Sequence, residues 1–216
     1  MHRPSGGAVP VDGHKSLHEL KVFLGAVRRR PSAMGAIVPS GPALAGMLAL
    51  VAPTTGEPVV VELGPGTGAA TRALRSRLPA GARHLAVELD GELVDHLRVA
   101  HPALDVIHGD AADLAKLLLD RGIEQVDAVI SGLPWALFPE SLQRTILGQV
   151  GDVLAPGGAF TTFAYVHALP LGNARRFRAL LSDSFDEVIV TRVVWANVPP
   201  AVGYICRRPL VRANAG

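Results

Sequence analysis

The feature that most constrains this chain is a strand, a glycine-rich loop and a helix that follow one another between Val59 and Leu74. Three valines and a leucine form a short apolar run, which is typical of a parallel strand buried on both faces. Gly64, Gly66 and Gly68 come next, at alternate positions. Glycine permits positive φ and leaves no Cβ between the backbone and a ligand. The alanines that follow favour a helix, whose first N–H groups face the loop.

Glycine turns between a strand and a helix occur in enzymes that bind nicotinamide, flavin or S-adenosylmethionine (SAM). The dinucleotide pattern tolerates Ala69 in the place of its third glycine. The acidic residue inside the strand, Glu62, gives the pattern Glu-x-Gly-x-Gly-x-Gly, which resembles the first motif of class I SAM-dependent methyltransferases. We therefore expect SAM as cofactor, with S-adenosylhomocysteine (SAH) as its product, and keep a dinucleotide as the alternative.

The 216 residues are enough for one α/β domain with a short appendage. The formal net charge of +2 produces no strong overall field, so nucleic acid is not the expected partner. Cys206 is the only cysteine, which excludes an internal disulfide and suits a reducing compartment. No apolar run reaches the length of a membrane span and no signal peptide is visible, so we expect a cytoplasmic protein. The sequence predicts no metal site and leaves the oligomeric state open.

Four segments are predicted: a flexible tail (1–13), an N-terminal helical cap (14–57), a SAM-binding domain (58–208) and a C-terminal tail (209–216). A helix beginning near Ser16 is amphipathic and basic, and a helix of this kind can lie in the headgroup region of an anionic bilayer. The same pattern also suits a helix packed on the domain with a solvated basic rim. Its candidate membrane-docking residues are Lys21, Phe23, Leu24, Arg28, Arg29 and Arg30.

Acidic residues end the next two predicted strands. Glu88 lies about twenty residues beyond the glycine loop, where a carboxylate can accept both ribose hydroxyls of an adenosine ligand. Asp90 is the second choice, but it is better placed to cap the following helix. Asp110, just past the third strand, is the candidate adenine contact, with the backbone N–H of Ala111 beside it. Asp113 is predicted to cap the helix that follows.

The fourth strand ends in Ser131, a candidate cofactor contact. Ligands of open α/β sheets bind at the carboxyl ends of strands where the strand order reverses, so this loop is expected to face the transferable methyl group. The candidate substrate-binding residues are Gly132, Leu133, Pro134 and Trp135, with the indole forming an apolar wall. The predicted fold is a Rossmann-like sheet of seven mostly parallel strands with helices on both faces. Its last pair of strands, Val188 to Trp195 and Val202 to Arg207, is expected to be antiparallel.

Several motifs together resemble the bacterial phosphatidylethanolamine N-methyltransferases, over roughly residues 23–208. The matching pieces are Gly35-Ala36-Ile37-Val38-Pro39-Ser40, the stretch from Val61 to Gly68, Ser131-Gly132-Leu133-Pro134, and Asn197-Val198-Pro199-Pro200-Ala201. The resemblance implies methyl transfer from SAM to the ethanolamine nitrogen of a phospholipid, at a membrane surface on which the basic N-terminal helix docks.

An ammonium has no lone pair, so an amine acceptor must lose a proton first; Tyr165, His167 and Glu140 are the candidate general bases. The main enzymatic alternative is an rRNA adenine N6-methyltransferase. Those enzymes have Asn or Asp where this chain has Ser131, and an aromatic after the proline, here Trp135, that stacks on the base. A methyltransferase of a soluble small molecule is a further alternative, and a SAM-binding, membrane-associated protein without catalysis is the non-enzymatic one.

Overall fold

The computed structural model of this protein describes residues 41–210, which form strands and helices in alternation. The strands are β1 (Val59–Leu63), β2 (Arg83–Glu88), β3 (Asp105–His108), β4 (Val126–Ser131), β5 (Leu154–Tyr165), β6 (Phe185–Val190) and β7 (Ala201–Pro209). The helices are α1 (Pro42–Leu48), α2 (Ala69–Arg75), α3 (Gly91–Ala100), α4 (Leu114–Leu119), α5 (Glu140–Val153) and α6 (Gly172–Ser184). Short 3-10 turns occupy Ala49–Val51, Ala111–Asp113, Trp135–Leu137 and Val166–Ala168.

The described strands form one sheet in the order β3-β2-β1-β4-β5-β7-β6. β7 runs antiparallel to both of its neighbours, β5 and β6, and the pairs from β3 across to β5 are parallel. This arrangement confirms the predicted fold class. The strand order reverses between β1 and β4, so a crevice opens at their carboxyl ends, where Leu63 and Ser131 pair in register.

Helices α1 and α2 pack on the sheet in one hydrophobic cluster, which includes Leu44, Leu48, Val60, Leu74 and Ile130. Residues 42–52, which the sequence analysis assigned to the N-terminal cap, therefore contribute to the core of the sheet domain. A second group of buried side chains is aromatic: Trp135, Phe138, Phe160, Phe177, Phe185 and Tyr204.

The predicted end of β6 at Trp195 is wrong, because the strand stops at Val190. The N–H of Thr191 still donates to the carbonyl of Gly203, and the next pairing joins Val194 to Ala201. Between these two pairings the chain after β6 advances by three residues, from 191 to 194, while β7 covers only two, from 203 to 201. The hydrogen-bond ladder is therefore broken, and residues 191–200 leave the sheet as a loop. Trp195 lies in this loop and not in a strand.

Candidate active site

The glycine loop has the conformation that the sequence predicts. Gly64, Gly66 and Gly68 have φ angles of +64°, +58° and +81°, a region that side chains with a Cβ rarely adopt. A Cβ added at Gly66 would meet no atom within 4 Å, whereas one at Gly68 would lie 2.7 Å from Nε2 of His101. The middle of the loop therefore faces open space, and its end is packed against α3.

Glu88 ties the glycine loop to the end of β2. Its carboxylate accepts a hydrogen bond from the N–H of Gly66 (3.2 Å) with one oxygen and from the N–H of Asp90 (3.0 Å) with the other. Burial raises the pKa of Glu88 above its ordinary 4.5, although these backbone donors work in the opposite direction. The carboxylate is thus held in one orientation beside the open side of the loop, with lone pairs left for a ligand.

Asp110 follows β3 and has one bonded and one unbonded oxygen. Oδ1 accepts from the N–H of Ala112 at 2.9 Å, while the buried Oδ2 has no hydrogen-bond partner among the described residues. Ala111 begins a 3-10 turn, so its N–H has no partner within that turn. Asp113 occupies the N-cap position of α4, as predicted, but its exposed side chain makes no capping hydrogen bond. The side chain of Asp110 caps the 3-10 turn that leads into α4. Asp90 caps α3 as predicted.

Glu62, predicted as a cofactor contact, lies inside the domain. Its carboxylate accepts a 2.6 Å hydrogen bond from the hydroxyl of Thr71, and Nε2 of His84 lies 3.5 Å from the same oxygen without hydrogen-bond geometry. The structure thus joins β1 to the first turn of α2 through a buried carboxylate. Thr71 was missed by the sequence analysis, although a hydroxyl in the first turn after a glycine loop is a visible signal.

The loop after β4 touches the glycine loop directly. The N–H of Gly132 donates to the carbonyl of Leu63 at 2.8 Å, and a Cβ on Gly132 would lie 2.6 Å from the carbonyl oxygen of Gly64. A Cβ on Gly64 would in turn lie 2.8 Å from the side chain of Leu133. Pro134 continues the loop before the turn Trp135–Leu137. The two loops therefore form one continuous wall of the crevice.

Trp135 is not on that wall. Its side chain is 2% exposed, and its ring stacks on Phe177 of α6 with centroids 4.8 Å apart and planes 18° from parallel. The indole Nε1 donates to Oγ of Ser131 at 3.0 Å, and the backbone carbonyl of Trp135 accepts from the buried side-chain amide of Gln143 at 2.6 Å. The structure places Trp135 in the core, where it holds the loop against α5 and α6. Gln143 was another residue that sequence reasoning missed.

The candidate general bases fall into two places. Tyr165 ends β5, and its ring stacks on that of His167 with centroids 5.6 Å apart and planes 12° from parallel. Burial raises the pKa of the Tyr165 phenol, so it stays protonated at neutral pH. Glu140 begins α5, and one of its carboxylate oxygens accepts two hydrogen bonds from the guanidinium of Arg144, at 2.8 and 2.7 Å. Of the three side chains, Tyr165 keeps its proton and Glu140 is paired, whereas His167 has no salt bridge to another of residues 41–210.

The crevice fits an adenosine-bearing cofactor. The buried Oδ2 of Asp110 lacks a donor among the described residues, and an adenine amino group would supply one. The open side of Gly66 leaves room for a ligand to approach the backbone, and Glu88 is fixed beside it. Gly64, Gly68 and Ala111 belong to the loops at this edge of the sheet. Ser131 is fully buried, and its hydroxyl accepts from the N–H of Leu133 at 3.2 Å and from the indole of Trp135 at 3.0 Å. Lys21, Phe23, Leu24, Arg28, Arg29 and Arg30 lie outside the described residues.

The sequence and the fold both match known methyltransferases. The family model described as a methyltransferase domain covers residues 60–158. An ornithine lipid N-methyltransferase from Singulisphaera acidiphila is 38% identical over 189 residues, which span 86% of this chain and 94% of that relative. The chain belongs to the class I SAM-dependent methyltransferases. This methyltransferase therefore uses SAM as its cofactor.

Two further matches are more distant. The ribosomal RNA small subunit methyltransferase A of Paracoccus denitrificans is 34% identical over 119 residues, covering 46% of this methyltransferase and 41% of that relative. The crystal structure of human Methyltransferase-like protein 13 in complex with SAH shares the fold: its TM-score is 0.57 at 18% identity, with 79% of this chain and 83% of that chain covered. Among residues 41–210, no helix has the length and apolarity that crossing a membrane requires.

Proposed function

We propose that this methyltransferase transfers methyl groups from SAM to the amine nitrogen of a membrane lipid headgroup, with phosphatidylethanolamine as the acceptor. The observation that carries the proposal is the 38% identity to an ornithine lipid N-methyltransferase, which extends over 94% of that relative's length. Ornithine lipid and phosphatidylethanolamine both present a primary amine at a bilayer surface. The proposal includes docking on anionic lipid by the segment that contains Arg28, Arg29 and Arg30, since basic side chains near such a surface each contribute about 1 kcal/mol.

In this proposal the protein's residues bind SAM, orient the acceptor amine and remove its proton. SAM supplies the electrophilic methyl group. Glu88 accepts from the ribose hydroxyls, and Asp110 accepts from the adenine amino group with its unbonded oxygen. The loop from Gly132 to Pro134 holds the amine, and holding both reactants in near-attack geometry can supply most of the acceleration.

His167 is the proposed general base. Its imidazole can take the proton that an ammonium headgroup must lose before the first transfer. Tyr165, whose raised pKa keeps the phenol protonated, stacks on this imidazole and sets the plane of the ring. The test is the pH profile of His167→Gln: we expect a lower rate near neutral pH that recovers as alkaline buffer deprotonates the amine. An unchanged profile would remove His167 from this role.

Methylation of rRNA is the second candidate, because the partial match to an rRNA methyltransferase favours it. Two observations weigh against it. The aromatic residue expected to stack on a target base, Trp135, is buried against Phe177, and this chain spans only 41% of that relative's length. Ser131 also stands where those enzymes are expected to have Asn or Asp.

The test is incubation of the purified full chain with radiolabelled SAM and, in separate reactions, vesicles containing phosphatidylethanolamine, vesicles containing ornithine lipid, and ribosomal RNA. We expect label in extracted methylated lipid. Asp110→Ala should reduce it strongly, whereas Asp113→Ala is the matched control, since the exposed Asp113 side chain makes no capping bond. Label in RNA alone would overturn the proposal. Label in ornithine lipid alone would keep lipid N-methylation and replace phosphatidylethanolamine as acceptor.

The docking segment has a separate readout. Replacing Arg28, Arg29 and Arg30 together by Ala should reduce sedimentation with vesicles that contain phosphatidylglycerol. Retained sedimentation would show that these arginines do not dock the enzyme.

A further inference from the structure

The loop between β6 and β7 carries two unusually exposed apolar side chains. Trp195 is 72% exposed and Val198 is 78% exposed. Asn197, between them, is buried to 2% exposure. Exposed apolar side chains that occur together mark interaction sites more often than single ones do, and burial of a large indole ring is favourable.

Asn197 anchors this loop from the inside. Its Oδ1 accepts from the N–H of Gly41 at 2.8 Å, and its Nδ2 donates to the carbonyl of Pro199 at 2.6 Å. A Cβ on Gly41 would lie only 3.2 Å from Oδ1 of Asn197, so the two segments are in close contact. The amide is thus satisfied inside the protein, while the apolar side chains on either side of it stay in solvent.

The loop lies at the same edge of the sheet as the active-site crevice. β7 begins at Ala201, which pairs with Tyr165 at the carboxyl end of β5. The N–H of Val166 donates to the carbonyl of Pro200 at 2.9 Å, which joins this loop to the one that carries His167. A third exposed apolar side chain, Leu171, follows in that second loop and precedes α6.

The two chain segments that contain these loops, residues 166–182 and 188–210, are basic. No Asp or Glu occurs between Val166 and Ser182, or between Val188 and Leu210. Arg207 and Arg208 of the second segment pair with Glu187 and Asp186, on β6.

Arg175 and Arg192 have no salt bridge to any residue in the range 41–210. These two guanidinium groups are therefore available to negative charge. Arg192 precedes Trp195 in the same loop, and the N–H of Arg175 donates to the carbonyl of the exposed Leu171 at 3.1 Å. The combination matches the interface of an anionic bilayer, where tryptophan rings and basic side chains are favoured.

We propose that Trp195, Val198, Leu171, Arg175 and Arg192, which we call the Trp195 surface, insert into the headgroup region of an anionic lipid bilayer. This inference rests on the proposed function, because the Trp195 surface holds the crevice edge against the membrane from which the amine lipid comes. It adds a contact that is independent of the basic segment at residues 28–30. The surface lets the headgroup reach the loop after β4 while its acyl chains stay in the bilayer.

Trp195 itself reports the contact. The chain has two tryptophans, and Trp135 is buried, so a change of emission on adding vesicles comes from Trp195. The full chain is mixed with vesicles of phosphatidylcholine and phosphatidylglycerol, or of phosphatidylcholine alone. We expect a blue shift and protection from acrylamide quenching with the anionic vesicles, and a much smaller effect with the neutral ones.

Variants then measure the contribution of the surface to partitioning. Val198→Ser combined with Trp195→Ser should weaken co-sedimentation with the anionic vesicles about thirtyfold, which corresponds to about 2 kcal/mol. The matched control combines Val99→Ser on α3 with Leu119→Ser on α4, two exposed apolar side chains outside this surface. The control should bind as the natural chain does.

Two results would overturn the proposal. One is no change in Trp195 emission with anionic vesicles. The other is protection of Trp195 from acrylamide before any vesicle is added, which would mean that another part of this chain covers it.

The activity assay separates this proposal from the proposed function. The Trp195/Val198 variant should lose methylation of vesicle lipid yet keep methylation of the same lipid dispersed in detergent micelles. A natural chain that inserts Trp195 but methylates no lipid would refute the proposed function and leave the surface intact.

Discussion

The burial of Trp135 leads to a prediction that decides between two roles for one residue. If the indole holds the loop after β4 in place, its replacement should act first on stability. If instead it forms a wall of the acceptor pocket, as the sequence suggested, its replacement should act on turnover. Trp135→Phe and Trp135→Ala separate the two roles, because phenylalanine keeps a ring against Phe177 and alanine does not.

The contacts set the expected magnitudes. Trp135→Ala removes a ring that meets three aromatic side chains, and emptying such a site costs about 3 to 5 kcal/mol. Trp135→Phe loses the 3.0 Å hydrogen bond to Ser131, a net cost of about 1 kcal/mol, and some ring volume. We expect that variant to lose about 2 kcal/mol of unfolding free energy in total. This loss lowers the urea midpoint by roughly 1 M if the unfolding free energy falls by about 2 kcal/mol per molar urea.

Urea unfolding followed by far-ultraviolet circular dichroism gives these values without relying on tryptophan emission. A double-mutant cycle of Trp135→Phe with Phe177→Leu isolates the stacked pair, and we expect a coupling of about 1 kcal/mol. SAM affinity by calorimetry and turnover on lipid are measured in parallel. The reasoning is refuted if Trp135→Phe keeps the natural urea midpoint and SAM affinity but loses turnover, since the ring would then act on the acceptor.

Two further predictions concern the crevice. In the proposed site, ribose hydroxyls donate to the charged form of Glu88, whose pKa burial raises above 4.5, so SAM affinity should fall as the pH is lowered toward that raised pKa. In Glu88→Gln the affinity should be weaker and nearly independent of pH, and a natural chain with flat affinity down to pH 4.5 would contradict this. Gly132→Ala would place a Cβ 2.6 Å from the carbonyl oxygen of Gly64, so it should lower the free energy of unfolding by about 1 to 3 kcal/mol and weaken SAM binding. The control is Gly46→Ala in α1, where an added Cβ would meet nothing within 4 Å, and equal thermal stability of the two variants would refute the argument.

Local patterns predicted much of this fold. The run of valines before the glycine loop gave the bounds of β1, since a buried parallel strand is a continuous apolar segment. Asp90 caps α3 as expected, because a capping carboxylate and its N–H donors lie within three residues of one another. The positive φ angles of the three loop glycines follow from the same local chemistry. Interactions between residues close in sequence can be predicted without a structure.

The failures have a common physical cause, which is contact between segments distant in sequence. Nothing near Trp135 in the chain indicates that Phe177, on a helix that begins after β5, will cover its ring. The end of β6 depends on a mismatch of spacing with β7, which is set by the other strand.

The three acidic residues predicted to contact the cofactor differ in how many hydrogen bonds the protein supplies to them, and that difference bears on their roles. The carboxylate of Glu62 is buried and bonded to Thr71, so it already joins β1 to α2. Glu88 uses both oxygens on backbone N–H groups, which orient it but leave lone pairs for hydroxyl donors. Asp110 keeps one buried oxygen without a donor among the described residues, at a cost that a bound adenine would relieve. Buried threonine hydroxyls of β5 also lack partners, so an unbonded atom alone does not mark a site. Asp110 differs from those threonines in its position at the carboxyl edge beside an open glycine loop, which supports its proposed contact with the cofactor, whereas Glu62 is already bonded within the scaffold.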